Sequence, residues 1–449
     1  MPALPLEYLE SMKKMLGDEY PAFLRAMDEP PALALRLNPR RANAEDVAAA
    51  FVDENVPWEP LGRYLRDGAK PGSALAHWAG AYYIQEASAM VPAAALDARP
   101  GERILDLCAA PGGKSTQIAA AMENRGLLVS NDPELSRAKV LAGNLERMGA
   151  ANAIVTSALP DALAVRWAEC FDAVLVDAPC SGEGMFRREP DSRLEWNPAA
   201  PSGCAARQAG ILDAAAAMLR PGGRLVYSTC TLNTLENEDN IAAFLARHAD
   251  FIPENFTLDG LGASHDGMLK VFPHRVRGDG HFVAKLRKSG EQHEKNRSNV
   301  KADPSAARLL AQLEREICSL PDWLKEMVLT LNGDRLYARP TDAPTLDGLR
   351  VIVPGLCLLR AGRSHIEPQH ALAMALDPNE ARRVMVLNDT AASYLAGNPL
   401  PTDGESGWTL ATWQNMPLGW GKVSQGTLKN HLPKGLRRTT QPLFLIPNS

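Results

Sequence analysis

The sequence predicts an α/β protein built around a parallel sheet with helices on both faces, followed by a small, mostly β region. Three observations carry this. Between residues 96 and 287, short apolar runs alternate with helix-spaced segments. The first run leads into a glycine-rich turn that opens a helix. The polar segment Arg287 to Pro304 then separates off a stretch of short apolar runs punctuated by Gly and Pro.

The elements follow in order. Leu9, Met12, Met15 and Leu16 recur at helix spacing. Leu33 to Asn38 alternates as a strand would, closes at Pro39, and ends in a basic turn at Arg40 and Arg41. Arg103–Leu107, Gly126–Asn131, Ala153–Val155, Phe171–Val176 and Arg224–Ser228 read as strands. Ser115–Met122, Glu134–Met148 and Cys204–Leu219 read as helices, the last stopped by Pro221-Gly222-Gly223. Leu269–Phe272 and Gly280–Leu286 suit a closing hairpin, and Ala306–Ile317 an amphipathic helix. The expected domains are an extension over 1–95, a central domain over 96–287, a linker over 288–304 and a C-terminal region over 305–449.

Composition narrows the class. A length of 449 residues suggests about two to four domains. A 45% hydrophobic and 22% charged chain is ordinary globular protein, and a net charge of −5 gives no global field for nucleic acid. Any RNA contact must come from local basic patches. Seven cysteines without C-x-x-C spacing argue for reduced thiols in a cytosol, not a disulfide framework or zinc ribbon. Nine histidines without ligand spacing predict no metal. No apolar run approaches the ~20 residues of a membrane span, so no membrane partner is expected.

Asp106-Leu107-Cys108-Ala109-Ala110-Pro111-Gly112-Gly113-Lys114-Ser115 is the most informative stretch. Small residues there let a ligand approach the backbone at a helix N-terminus. Asp132 ends the next strand, where an acid holds ribose hydroxyls in dinucleotide folds. The G-x-G-x-x-G fingerprint is missing. A P-loop is only half present, because Cys108 stands where its first glycine belongs. S-adenosylmethionine needs a close-packed loop, an acid and an apolar adenine slot, and fits better.

Two cysteines follow successive strands, in Asp177-Ala178-Pro179-Cys180-Ser181-Gly182 and in Ser228-Thr229-Cys230-Thr231. Taken singly, a free cysteine is usually a small buried hydrophobe. Two on the ligand-bearing edge beside a methyl donor suggest more. A thiolate added to carbon 6 of a pyrimidine makes carbon 5 nucleophilic, and cysteine suits this because its pKa of ~8.5 is easily lowered. Asp177 is placed to stabilise the adduct at N3 or N4.

CAAPGGK, DAPCSGEGMFR and LVYSTCT resemble three signature motifs of the NOL1/NOP2/Sun family of RNA cytosine-5 methyltransferases. The front segment and the tail are similar to the branch that modifies the bacterial small ribosomal subunit, in its Gram-positive form. The resemblance covers nearly the whole chain. It implies a Rossmann-like class I methyltransferase domain, an N-terminal α/β RNA-binding extension and a C-terminal, mainly β, PUA-like RNA-binding domain. It makes Cys230 the nucleophile and Cys180 the assistant in product release. Cys108, Ala109, Ala110, Pro111, Gly112, Gly113, Lys114, Asp132 and Asp177 line the cofactor and base pocket, and Lys114 reaches toward the base. Where relatives carry Asp or Asn near the adenine, this chain has Thr156-Ser157-Ala158-Leu159-Pro160-Asp161, which leaves Ser157 for that contact.

The implied substrate is a splayed or flipped cytosine in RNA, 16S ribosomal RNA or the small subunit, worked on by a monomer. Phosphate contacts are sought among Arg36, Arg40 and Arg41, Arg187 and Arg188, and Lys422, Lys429, Lys434, Arg437 and Arg438. Trp408, Trp413 and Trp420 suit the core of the small β region better than base stacking. Other readings stay open: an inactive RNA-binding assembly factor, a transfer-RNA enzyme, or a DNA enzyme using the Pro-Cys cysteine.

Overall fold

The computed structural model describes residues 2–291, 304–341, 343–363 and 365–438; residues 292–303 of the expected linker lie outside them. Five strands, β1 (Arg103–Asp106), β2 (Leu127–Asn131), β3 (Ala153–Thr156), β4 (Phe171–Asp177) and β5 (Leu219–Thr229), run parallel in the order β3-β2-β1-β4-β5. They read as continuous apolar runs because both faces are covered. Ile104, Leu128, Val155, Leu175 and Val226 pack one face, and Leu105, Val129, Ile154, Val174, Val176, Leu225 and Tyr227 the other. Three helices cross over: α1 (Gly113–Ala121), α2 (Leu135–Arg147) and α3 (Ala200–Met218). In α2 the buried residues are Ala138, Leu141 and Leu145, one stripe at i, i+3 and i+7. Truncating Leu141 to Ala would cost about 2–5 kcal/mol.

Further strands close the sheet. β6 (Phe251–Pro253) and β7 (Met268–Val271) both pair antiparallel with β8 (His281–Lys288), which pairs antiparallel with β5. On the far edge β9 (Val351–Val353) pairs antiparallel with β3. The expected closing hairpin is therefore present. β9, which returns to this sheet from the region beyond residue 305, had no signature in the sequence.

Two boundaries differ from the sequence reading. α3 begins at Ala200 rather than Cys204, with Pro201 in its first turn, where a missing N–H costs nothing. β5 begins at Leu219 and passes through Pro221-Gly222-Gly223 rather than after it. Between the pairs Phe171↔Leu219 and Ala173↔Arg224 the extra residues bulge out of the ladder, as proline and glycine permit.

The first 90 residues form two leading helices, Leu6–Leu16 and Tyr20–Asp28, two short ones, Ala44–Ala48 and Leu75–Trp78, and a four-stranded sheet that includes Ala34–Leu37 and Tyr82–Ile84. The C-terminal region carries a four-stranded and a five-stranded sheet. Trp408, Trp413 and Trp420 are buried there as core residues. The five-stranded sheet shares one core with the N-terminal sheet: Leu35, Phe51 and Tyr82 pack with Leu387, Tyr394, Leu418 and Leu428. The tail is thus seated on the front of the chain instead of standing apart.

Five arginines proposed as phosphate contacts are structural braces. Arg36 is fully buried and donates to Thr116 Oγ1 (2.7 Å), Gln85 Oε1 (3.2 Å) and the Gly113 carbonyl (3.3 Å), fixing the N-terminal sheet to α1. Arg40 and Arg41 donate to the carbonyls of Ala375 (3.0 Å) and Met374 (2.7 Å), which end the helix His370–Ala375 and have no partner within it. Arg187 and Arg188 share the buried carboxylate of Asp279. In the tail, Arg438 stacks over the Trp78 ring at 4.1 Å and Lys422 over Trp408 at 5.4 Å, while Lys429 and Lys434 are exposed.

Candidate active site

Strand order reverses between β1 and β4, so the chain leaves their carboxyl ends in opposite directions and opens a crevice there. Residues Leu107 to Gly112 cross this crevice. Gly112 caps α1 with φ +115°, a conformation in which a side chain would be strained. A Cβ on Gly113 would come within 3.3–3.4 Å of Gln85 and Tyr83. A cavity of about 210 Å³ is bounded by Asp106, Cys108 to Pro111, Gly113, Lys114 and Asp177 on one side. Tyr83, Ile84, Gln85 and Ala89 from the N-terminal extension form the other wall.

At the ends of β2 and β3, Asn131 stitches loops together: its Nδ2 donates to the Leu107 and Ala158 carbonyls, and its Oδ1 accepts from Thr156 Oγ1 and the Ala158 amide. Asp132 is buried, with Oδ1 accepting from the Glu134 amide (3.0 Å) and Oδ2 3.4 Å from Arg137 Nη2. Arg137 also donates to the Ala110 carbonyl (3.0 Å), which joins the acid to the glycine-rich loop. Ser157 lies beside it and donates to the Pro133 carbonyl at 3.2 Å.

Two acids end adjacent strands and differ in charge. Asp106 is fully buried; its Oδ2 accepts from Ser115 Oγ (2.7 Å) and its Oδ1 has no partner among the described residues. Burial pushes its carboxyl up to about 7, with the Ser115 hydrogen bond opposing. Burial would also raise Asp177, but the Lys114 ammonium 2.7 Å from Oδ2, helped by His281, holds it well below the usual carboxylate range. Ser228 Oγ donates to Asp177 Oδ1 at 2.7 Å. Burial likewise opposes charge on Lys114, and Asp177 outweighs it, holding the ammonium pKa above its ordinary value.

Beyond this pair the two thiols meet. Cys180 follows β4, Cys230 follows β5, and their Sγ atoms are 3.3 Å apart. The hydrogen bond to Cys230, then burial, raises Cys180 well above the ordinary thiol range, so Cys180 keeps its proton. Both turns hang on one buried carboxylate. Glu236 accepts from the Ser181 amide (3.0 Å), the Ser181 hydroxyl, Gln208 Nε2 (2.8 Å) and Asn233 Nδ2 (2.8 Å). Glu183 accepts from the Leu232 and Asn233 amides, and the Gly184 amide donates to the Cys230 carbonyl at 2.8 Å.

The expected residues Cys108 to Lys114, Asp177, Cys180 and Cys230 thus converge on one sheet edge, while Asp132 and Ser157 sit one and two strands away on the same edge. Glu236, Glu183, Gln208 and His281, and the wall from Tyr83 to Gln85, were missed. The run Glu236-Asn237-Glu238-Asp239, shortly after the Thr-Cys turn, was the signal for Glu236, and the motif DAPCSGEGMFR held Glu183. A larger cavity of about 590 Å³, between α2 and the C-terminal sheets, contains none of the paired thiols or acids.

Family profiles match four consecutive parts of the chain. They describe the N-terminal domain of 16S rRNA methyltransferase RsmF (residues 4–87), 16S rRNA methyltransferase RsmB/F (93–287), the RsmF rRNA methyltransferase first C-terminal domain (314–376) and the methyltransferase RsmF PUA domain (382–438). The chain is 34% identical to ribosomal RNA small subunit methyltransferase F of Erwinia tasmaniensis, over 97% of each chain. It is 33% identical to the protein of that name from an Enterobacter species, over 99% of this chain and 98% of the other. Among solved structures, a methyltransferase homolog protein from Pyrococcus horikoshii is similar at TM-score 0.54 and 30% identity, covering 63% of this chain and 94% of that one.

Proposed function

Because the chain belongs to the family of 16S rRNA methyltransferases RsmB/F, we propose that it methylates carbon 5 of a cytosine in small-subunit ribosomal RNA through a covalent Cys230 adduct. The observation that carries this reading is the pair of thiols 3.3 Å apart beside the Lys114–Asp177 ion pair. Family membership supports S-adenosylmethionine as methyl donor. The orphaned Asp106 Oδ1 and the cavity lined by Asp106 and by Cys108 to Pro111 fit a polar ligand lying against the loop. Cys108 to Lys114, Asp132, Ser157 and Asp177 would hold it, and when bound it supplies an electrophilic methyl group on a cationic sulfur.

The chain's own residues divide the remaining work. Cys180 retains its proton and donates toward Cys230, whose sulfur lies within electrostatic reach of Lys114. Cys230 is therefore the sulfur that can attack carbon 6 as a thiolate. Asp177, kept ionised, accepts a hydrogen bond from the N4 amino group as the adduct forms. Once Cys230 is bonded to carbon, the largest influence holding the proton on Cys180 is gone. Cys180 then loses that proton more readily and can accept the one from carbon 5, which expels Cys230 and restores the ring. We assign the extension over 1–95 and the region over 305–449 to RNA binding, with the exposed Lys429 and Lys434 among the phosphate contacts.

The test is transfer of labelled methyl to small-subunit rRNA, transfer RNA and DNA by the full chain and by Cys230→Ala. The reading expects label on small-subunit rRNA alone, at 5-methylcytosine, and none with the variant. Labelled DNA or transfer RNA would move the substrate, and no label with intact donor binding would make the protein an assembly factor.

A further inference from the structure

We infer that His281 is a positioning residue of the transfer site, acting on the reaction through the Asp177 carboxylate. The inference rests on the proposed role of Asp177. His281 opens β8, opposite Val271 of β7, and is one residue before Phe282, which pairs with Thr229 of β5. Side chains alternate along a strand. His281 therefore shares a face with Val283 and, across the ladder, with Ser228, whose hydroxyl is on Asp177.

The side chain is 4% exposed. Its Nε2 lies 3.8 Å from Asp177 Oδ1 and makes no hydrogen bond among the described residues. A buried ring nitrogen with no partner is costly, and such groups are rare unless they serve a purpose. That carboxylate oxygen has the capacity to accept, since Ser228 takes one of its lone pairs and Lys114 is on the other oxygen. A closure of about 0.8 Å would bring Nε2 within hydrogen-bond distance. His281 would then complete a three-donor cradle of Lys114, Ser228 and His281 that fixes the carboxylate's direction toward the base. No contact of His281 with the base itself is invoked.

The experiment compares His281→Gln, which keeps an N–H donor at similar reach, with His281→Leu and His281→Phe, which remove it. Each is measured in the wild-type and Asp177→Asn backgrounds, by methyl transfer to small-subunit rRNA. Thermal melts and donor-binding calorimetry establish that each variant is folded, and Phe serves if Leu does not fold. The expected result is kcat reduced about 10-fold or more by Leu or Phe, KM for donor and RNA within about 2-fold, and Gln within about 3-fold of wild type. In the Asp177→Asn background the same substitutions should cost less than about 2-fold, because a residue that acts through Asp177 has nothing left to act on. Equal losses with Gln and Leu, no loss at all, or losses that multiply with Asp177→Asn would overturn the inference. Failure of the covalent reading is seen separately, as undiminished transfer by Cys230→Ala.

Discussion

The two cysteine turns look alike in sequence and differ in what surrounds them. Each follows the carboxyl end of a parallel strand, on neighbouring strands, and each places a half-buried thiol on the same crevice. Cys180 is held as a thiol by its hydrogen bond to Cys230 and by burial. Cys230 is its hydrogen-bond partner and lies within electrostatic reach of the ammonium of Lys114. Position on the fold therefore brings thiols to a site, while the neighbouring charges and protons decide which of them attacks.

The largest effect expected from breaking this asymmetry is at the ion pair beside it. Asp177→Asn should lower the rate of methyl transfer by roughly 10²–10³-fold, the scale of one lost electrostatic contact in a transition state. Lys114→Met should act on pH as well. Without the ammonium, burial lifts the Asp177 carboxyl toward and above its ordinary range. Activity that is flat in mild acid for the wild type should then fall as pH drops. A pH–rate profile of Lys114→Met with the wild-type shape would contradict this account of the charge.

Glu236 ties the two turns to each other, and Glu236→Gln should sharpen the comparison at intermediate size. The substitution places an amide N–H against donors, and one lost buried partner costs about 1–3 kcal/mol. The melting temperature should drop, and transfer should slow about 10-fold as the thiols lose their mutual placement. A normal rate at a lowered melting temperature would make Glu236 a purely structural residue.

The smallest effect is at Asp106, the acid with the opposite titration. Its folded pKa of about 7 exceeds its unfolded value of about 4, so between these the folded state binds more protons. Its contribution to stability is complete below pH 4 and lost as pH rises through 7. Asp106→Asn removes that loss, so its melting temperature relative to wild type should climb by a few degrees between pH 5 and pH 8. A constant difference across that range would mean that Asp106 is not held protonated.

The parallel sheet, the glycine-rich loop and the cysteine turns were legible because each imposes a local residue pattern. Buried parallel strands need apolar runs, and a close ligand approach needs small residues. Long-range pairing left no such mark. Arg40 and Arg41 read as a basic surface turn, yet their partners are the carbonyls of Ala375 and Met374, more than 330 residues further on. Glu236 stands in a polar stretch of sequence with no pattern that marks it, and only the fold surrounds it with donors. His281 sits in an ordinary strand pattern; its proximity to Asp177 comes from β8 folding back antiparallel onto β5. β9 has three apolar residues and no signal that it would cap the sheet edge at β3.

The central claim is that Cys230 bonds to the base and Cys180 releases it. Its most direct test is a denaturing gel of labelled small-subunit rRNA with the methyl donor and the wild type, Cys180→Ala, Cys230→Ala or the double variant. The account predicts a slow-migrating protein–RNA band that accumulates with Cys180→Ala alone, because elimination is blocked after addition. Cys230→Ala and the double variant should give no band. A band with Cys230→Ala and none with Cys180→Ala would contradict the account and make Cys180 the nucleophile.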